Sequence, residues 1–291
     1  MQLEIMQVEE INVIAVQHLI DEEMMLRIQK KRYDTLFLAY EKEQIVGVGI
    51  IWLNSFHPFA KYAAIGCEES ENTTCIEDAL FEKMRQSKGK YQRIIFSFWN
   101  TNTRMQAFSN HYKLSLLRKT FLPKLEVGEL VTKLENIVTL QMDQILTLQE
   151  ILNTPSLKNS FLQLLKTTYE ETHLVNPTAN QSIVEWESSL NDQEPLLDES
   201  LVHVQTRNGE QIVTAYILLH HEEVYEIGWI GGQDDYILKS ILLNQLLRLH
   251  ENGVSHIEAE IDTTDSYAMK LFKFLEIESK TYPTWLTYAY E

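Results

Sequence analysis

The chain has 291 residues, with 42 acidic side chains against 25 basic ones, a formal charge of −17, and 44% hydrophobic residues. That balance supplies core enough for two globular domains, and its acidity argues against nucleic acid or a membrane surface as a partner. The opening MQLEIMQVEE lacks the basic and apolar regions of a secretory signal, no apolar run approaches the roughly 20 residues that span a bilayer, and Cys67 and Cys75 alone make neither a disulfide framework nor a zinc site, so a cytoplasmic chain is expected.

In chain order, helical segments are expected over residues 11–31. A hairpin follows, with strand LFLAY at 36–40, the turn Glu41-Lys42 and strand VGVGIIWL at 46–53. An amphipathic helix runs to Gly89, then comes strand RIIFSFW at 93–99 and the turn Thr101-Asn102, which would cap another helix. From Pro123 to Asp143, Gly128 and scattered charges interrupt the pattern, which places a linker there and divides the chain into domains 1–128 and 129–291. Helices at 143–171 and 181–190 flank the breaker run 173–180. A second hairpin follows, with strands LVHVQ at 201–205 and VTAYILL at 213–219 around Arg207-Asn208-Gly209. A helix with Ile237, Ile241, Leu242, Leu246 and Leu249 at helical spacing runs to Gly253, before strand HIEAEI at 256–261 and the capping turn Thr264-Asp265.

The two halves repeat each other. Glu43-Gln44-Ile45-Val46 returns as Glu210-Gln211-Ile212-Val213, the helix-ending Gly89 as Gly253, and Lys119-Thr120-Phe121 as Lys280-Thr281-Tyr282. The order is preserved throughout, as a duplicated domain with small loop changes would show. Each copy reads hairpin, strand, helix, strand, helix, strand. This gives a mixed α/β fold with a mostly antiparallel sheet and one β-α-β crossover.

That order resembles the GNAT acetyltransferase family, here as a tandem pair. The family's pyrophosphate loop, Q/R-x-x-G-x-G/A, aligns with Gln233-Asp-Asp-Tyr236-Ile-Leu238 and with Asn72-Thr-Thr-Cys75-Ile-Glu77. Gln233 matches, and bulky residues replace both glycines. The family's later run N-x-x-A-x-x-L-Y aligns with Asp265, Ala268, Leu271 and Phe272, so Phe272 stands where the family's tyrosine protonates the leaving thiolate. Ala268 and Leu271 agree, Asp265 replaces the family's Asn, and the aligned run extends to Ile277. In the first copy Asn102 matches and Ser109 stands at the tyrosine position.

The resemblance implies acetyl-CoA as co-substrate, bound in the second half. Pantetheine would lie along Ile227, Gly228, Trp229, Ile230 and Gly231. Pyrophosphate would lie against the amides from Gln233 through Tyr236, Ile237 and Leu238 to Lys239, the one cation near Asp234 and Asp235. Asp265 and Phe272 would border it. Glu226 would deprotonate an amine, and Tyr225 or Tyr236 would protonate the thiolate. Each has a plainer reading, as a strand-end carboxylate or packing aromatics, and Gly228, Gly231 and Gly232 fit a bulge or turn equally well. Thr73 and Thr74 at a helix start offer an uncharged alternative anion site. Cys67 reads as a buried, inert thiol, and His203, His220, His221 and His256 lack metal-ligand spacing, so no metal is expected. The expected function is N-acetyl transfer to a small cationic amine. The other reading is an inactive ligand-binding or protein-interaction module, and a homodimer stays open.

Overall fold

The computed structural model describes residues 3–138, 144–221, 223–276 and 282–291. Lys280-Thr281, Ile277 and the helix start at Asp143 lie outside the described residues. By contact the chain forms two compact units. Unit one holds Met1–Arg118, Asn176–Ala179 and Trp285–Glu291, and unit two holds Lys119–Val175 and Asn180–Thr284. Residues 128 and 129, where the domain division was expected, both fall inside unit two.

Unit one begins with β1 (Leu3–Val8), a strand not among the expected elements, and a short 3₁₀ turn at Val13–Ala15. Only α1 (Glu22–Gln29) forms an α-helix in the region expected to be helical, started by the Asp21 carboxylate on the Met24 amide. Then come β2 (Thr35–Glu41), β3 (Gln44–Leu53), β4 (Ala60–Cys67), α2 (Thr73–Gln86), β5 (Arg93–Trp99) and α3 (Thr103–His111). β6 (Ser115–Phe121) leads into unit two.

Unit two opens with β7 (Lys124–Glu126) and α4 (Val127–Glu135). The expected linker is therefore corrected to a packed helix. Val127, Leu130, Val131 and Leu134 recur at helical spacing and are buried in the unit's core, with Gly128 tolerated in the first turn. β8 (Ile145–Thr147), α5 (Leu148–Asn153) and α6 (Pro155–Thr172) follow. The long helix expected here is cut at Thr154, because Pro155 starts a new helix at the position where a missing N–H costs nothing. α7 (Ile183–Asp192), β9 (Leu201–Arg207), β10 (Glu210–His221), β11 (Tyr225–Gly232), α8 (Asp235–Glu251), β12 (His256–Ala259), β13 (Ile261–Asp262) and α9 (Ser266–Phe274) complete the unit. α8 ends in a Schellman motif: the Val254 amide donates to Leu249 O and the Gly253 amide to His250 O, with Gly253 at φ +79°.

Each unit has its own sheet. Unit one orders its strands β1-β2-β3-β4-β5, and the next position is taken by β14 (Thr284–Tyr290), which pairs antiparallel with β5 from Trp285↔Trp99 to Tyr290↔Ile94. Unit two orders its strands β8-β9-β10-β11-β12-β7. Among the described pairings, each sheet has one parallel pair, joined through a helix, β4 with β5 and β11 with β12. The mixed, mostly antiparallel fold and its duplication stand as expected. Among the described residues no helix is long and apolar enough to cross a membrane.

Candidate functional site

The space for a ligand arises where the parallel strands part. β11 pairs with β12 only at Glu226↔Glu258 and Ile227↔Ala259, and β11 then runs on to Gly232. On its other side the register with β10 slips between Ile227↔Leu219 and Ile230↔Ile217. Gly228 and Trp229 together therefore oppose Leu218, which is a β-bulge. The bulge reading of the glycines holds for Gly228. Gly231 has a different reason: it faces Tyr216 in register, and a Cβ there would run into the Tyr216 ring, whose hydroxyl is tied to Thr168 Oγ1 at 2.6 Å.

Beside the parting strands lies a slot of about 300 Å³ between α8 and α9. Its walls are apolar (Ile217, Ile230, Leu238, Leu242, Leu271 and Phe274), while Lys239, Lys270, Lys273 and Asp235 supply charge and Tyr267 a hydroxyl. Lys239 Nζ stands 4.3 Å from the centre of the Phe274 ring. Lys270 Nζ donates to Gln233 O at 3.1 Å and pairs with Asp235 at 3.0 Å. Tyr267 donates its hydroxyl to Glu171 Oε2 at 2.8 Å and accepts from Gln233 Nε2 at 3.0 Å. Burial, reinforced by the Glu171 carboxylate, pushes that hydroxyl up to about 12.

Of the residues expected from sequence, Ile230, Leu238 and Lys239 come together in the slot, and Gln233 reaches its edge through Tyr267. Ile227 is buried in the core and Ile237 packs against it. Tyr225 packs there too, its ring 4.5 Å from that of His221, and Glu226 lies on the paired stretch before the strands part. Tyr236 is exposed on the first turn of α8. Phe272 stacks on Phe121 at 4.9 Å inside the core. Asp265 caps α9, accepting from the amides of Tyr267 and Ala268 at 2.8 and 3.0 Å. The expected phosphate cradle needs correction at two of its amides. The Asp234 carboxylate already accepts from the amides of Tyr236 and Ile237, at 2.8 and 3.2 Å. Lys239 is not the lone cation either, since Lys270 and Lys273 share the slot. Sequence reasoning missed Tyr267, Lys270 and Phe274, although their i, i+3, i+7 spacing puts them on one face of α9.

Unit one has its own cleft, about 470 Å³, where β4 continues past its last parallel pair, Ala63↔Phe96. Arg104 projects into it. Its Nη1 lies 2.6 Å from Glu77 Oε1 and 3.4 Å from Cys67 Sγ, and its Nη2 donates to Ile65 O at 3.0 Å. Glu77 is only 5% exposed, and burial raises its carboxyl pKa while Arg104 opposes the rise. Burial likewise pushes the Cys67 thiol up to about 11, the setting of an inert thiol. Thr73 Oγ1, at the alternative anion site, is already bonded to the carbonyls of Glu68 and Ser70. His203 is held between Thr214 and Gln144.

No protein-family model matches the sequence, and a search of curated proteins finds no match. Solved structures do match in fold. A GCN5-related N-acetyltransferase from Sphaerobacter thermophilus superposes with a TM-score of 0.62 at 9% identity, over 99% of this chain and 95% of that one. A tandem GNAT protein from the clavulanic acid biosynthesis pathway gives 0.56 at 9% identity, over 100% and 98%. A GCN5-related N-acetyltransferase from Kribbella flavida gives 0.50 at 9%, over 98% and 71%. The chain has the tandem GNAT fold.

Proposed function

We propose that this tandem GNAT fold binds an acyl-CoA in unit two, acetyl-CoA first among them, and passes the acyl group to a small cationic amine in the cytoplasm. The lysine-rimmed slot between α8 and α9 carries this reading. A pantetheine arm is long and largely apolar, which suits walls of Ile230, Leu238, Leu242 and Leu271. The phosphates it trails suit Lys239 and Lys273, point charges that replace the amides taken by Asp234. In a chain of net charge −17, three lysines around one slot mark a place built for an anion, while the remaining surface steers a cation inward. Direct attack of the amine on the thioester requires two proton transfers, one off nitrogen and one onto sulfur.

The capped α8 terminus favours a second reading, a module that binds such a ligand without turning it over. The deciding experiment has two parts: calorimetric and thermal-shift titration with acetyl-CoA and CoA, and thiol release from acetyl-CoA with a panel of primary alkylamines and diamines. A ligand that binds only the native state must raise the Tm by mass action. A shift together with thiol release is the expected result. A shift without release for any amine selects the module, and no shift at millimolar ligand overturns both.

A further inference from the structure

The helix that follows the parallel pair begins in each unit with a capping side chain, Asn102 on α3 and Asp265 on α9. In each, the second residue past the cap reaches toward the gap between the parting strands. In unit one this residue is Arg104, which closes on Ile65 O, and in unit two it is Tyr267, whose hydroxyl meets Gln233 just beyond the end of β11. We propose that Tyr267 and Glu171 form a proton relay for the acyl transfer, carrying the proton of the attacking amine to the sulfur of the departing CoA. The relay rests on the acyl-CoA reading of unit two.

Three observations carry it. Phe272 has no proton to give and is stacked against Phe121 in the core. Tyr267 is the one hydroxyl among the slot's lining residues, where Lys239 stands over the Phe274 ring and Lys270 is held by Gln233 O and Asp235. Finally, Tyr267 joins two sides of the unit. Its ring is buried, with 3% of the residue exposed, and lines the slot. Its hydroxyl donates to an exposed carboxylate on α6, the helix that packs across β10 and β11. An amine arriving beside Glu171 and a thioester lying in the slot would be connected by that hydroxyl.

The step balances. The nitrogen lone pair forms the C–N bond, the C–S bond then breaks, and its electron pair stays on sulfur. The nitrogen's proton goes to the Glu171 carboxylate. Glu171 passes a proton to the Tyr267 oxygen as Tyr267 gives its own to sulfur, so amide and free thiol leave with both side chains restored. Concerted passage matters, because a hydroxyl held near 12 does not persist as phenolate at neutral pH. Gln233, donating to the Tyr267 oxygen, is a positioning residue.

The test uses the full chain with acetyl-CoA and whichever panel amine gives the fastest thiol release. Tyr267→Phe keeps the ring and its packing, and Glu171→Gln alters an exposed residue, so both variants are expected to keep the wild-type Tm within a few degrees. Each should lower kcat about 100-fold or more while leaving the acetyl-CoA Kd and KM within threefold, and Glu171→Asp should recover part of the loss. If the wild type binds and turns over but either variant keeps its rate, the relay is wrong. If Tyr267→Phe loses acetyl-CoA binding along with rate, Tyr267 is a binding residue and the relay is also wrong. If the wild type itself shows no binding, the acyl-CoA reading fails first, and does so independently of either variant.

Discussion

The two units share a scaffold and differ at the cleft. Counting from the helix caps, Asn72 and Asp234, the buried residues Ile76, Leu80 and Met84 of α2 correspond to Leu238, Leu242 and Leu246 of α8. On the same count the fifth residue is Glu77 in unit one and Lys239 in unit two. The residue two past the later cap is Arg104 in one and Tyr267 in the other. The strand differs as well: β4 pairs with β3 in unbroken register, whereas β11 is bulged against β10. Packing positions survive a duplication because any loss of volume there destabilises the unit, while cleft positions are free to change sign. Unit one commits its cleft arginine, Arg104, to the buried Glu77, whereas unit two brings three lysines to the slot against Asp235.

The harshest test of this contrast is Arg104→Gln. It strands a buried carboxylate and is expected to cost about 4 kcal/mol in urea unfolding at neutral pH. Burial already raises the Glu77 carboxyl pKa and losing Arg104 raises it further, so the penalty should shrink as pH falls and Glu77 takes up a proton. A uniform penalty from pH 4 to 8 would contradict the pairing. Next come the glycines at matching places near the strand ends. A Cβ at Gly66 meets the backbone carbonyl of Leu19, which only a main-chain shift relieves, while one at Gly231 meets the buried Tyr216 ring, held through its hydroxyl by Thr168. Both Gly66→Ala and Gly231→Ala should therefore cost about 2–3 kcal/mol, and a cost near zero at either position would count against the close approach there.

The binding contrast is sharpened by charge. Joint substitution of Lys239→Glu and Lys273→Glu should weaken acetyl-CoA on the order of 100-fold in calorimetry, about 2.7 kcal/mol, whereas Arg104→Gln should leave the affinity as it was. One CoA per chain is the expected stoichiometry, and two would erase the distinction between the clefts. The smallest effect concerns the caps. Asn102 is neutral, but burial raises the Asp265 carboxyl pKa above its ordinary 3.8, so ionisation costs stability as pH rises through the folded-state value. Asp265→Asn keeps both cap hydrogen bonds and should gain about 0.5 kcal/mol at pH 7. The gain should fade with acidification and vanish below 3.8, as thermal unfolding across that range would show.

Much of the fold was legible because its determinants are local. The Glu-Gln-Ile-Val hairpins, the caps Asn102 and Asp265, and the apolar stripe of α8 each state a structure within a dozen residues. α4 is hard to see because Gly128 and nearby charges obscure Val127, Leu130, Val131 and Leu134, and the start of α6 at Pro155 is hidden inside an otherwise continuous helical pattern. The candidate site was legible only where β11 and α8 supply it. Its remaining parts come from separate segments: Tyr267 finds Glu171 across 96 positions, and lysines on α9 look like any solvated face until α8 lies beside them. Pair chemistry of that kind has no period to detect.

The strand at Trp285–Tyr290 has a consequence in time. It takes the place beside β5 in that sheet, and Ser97 meets Thr287 there across 190 positions. At about 5–20 residues per second, a ribosome leaves the edge of β5 uncovered for roughly 10–40 s while all of unit two is made. An open edge is a template for pairing with another nascent chain, so this interval is when unit one is most exposed to aggregation and to chaperone capture.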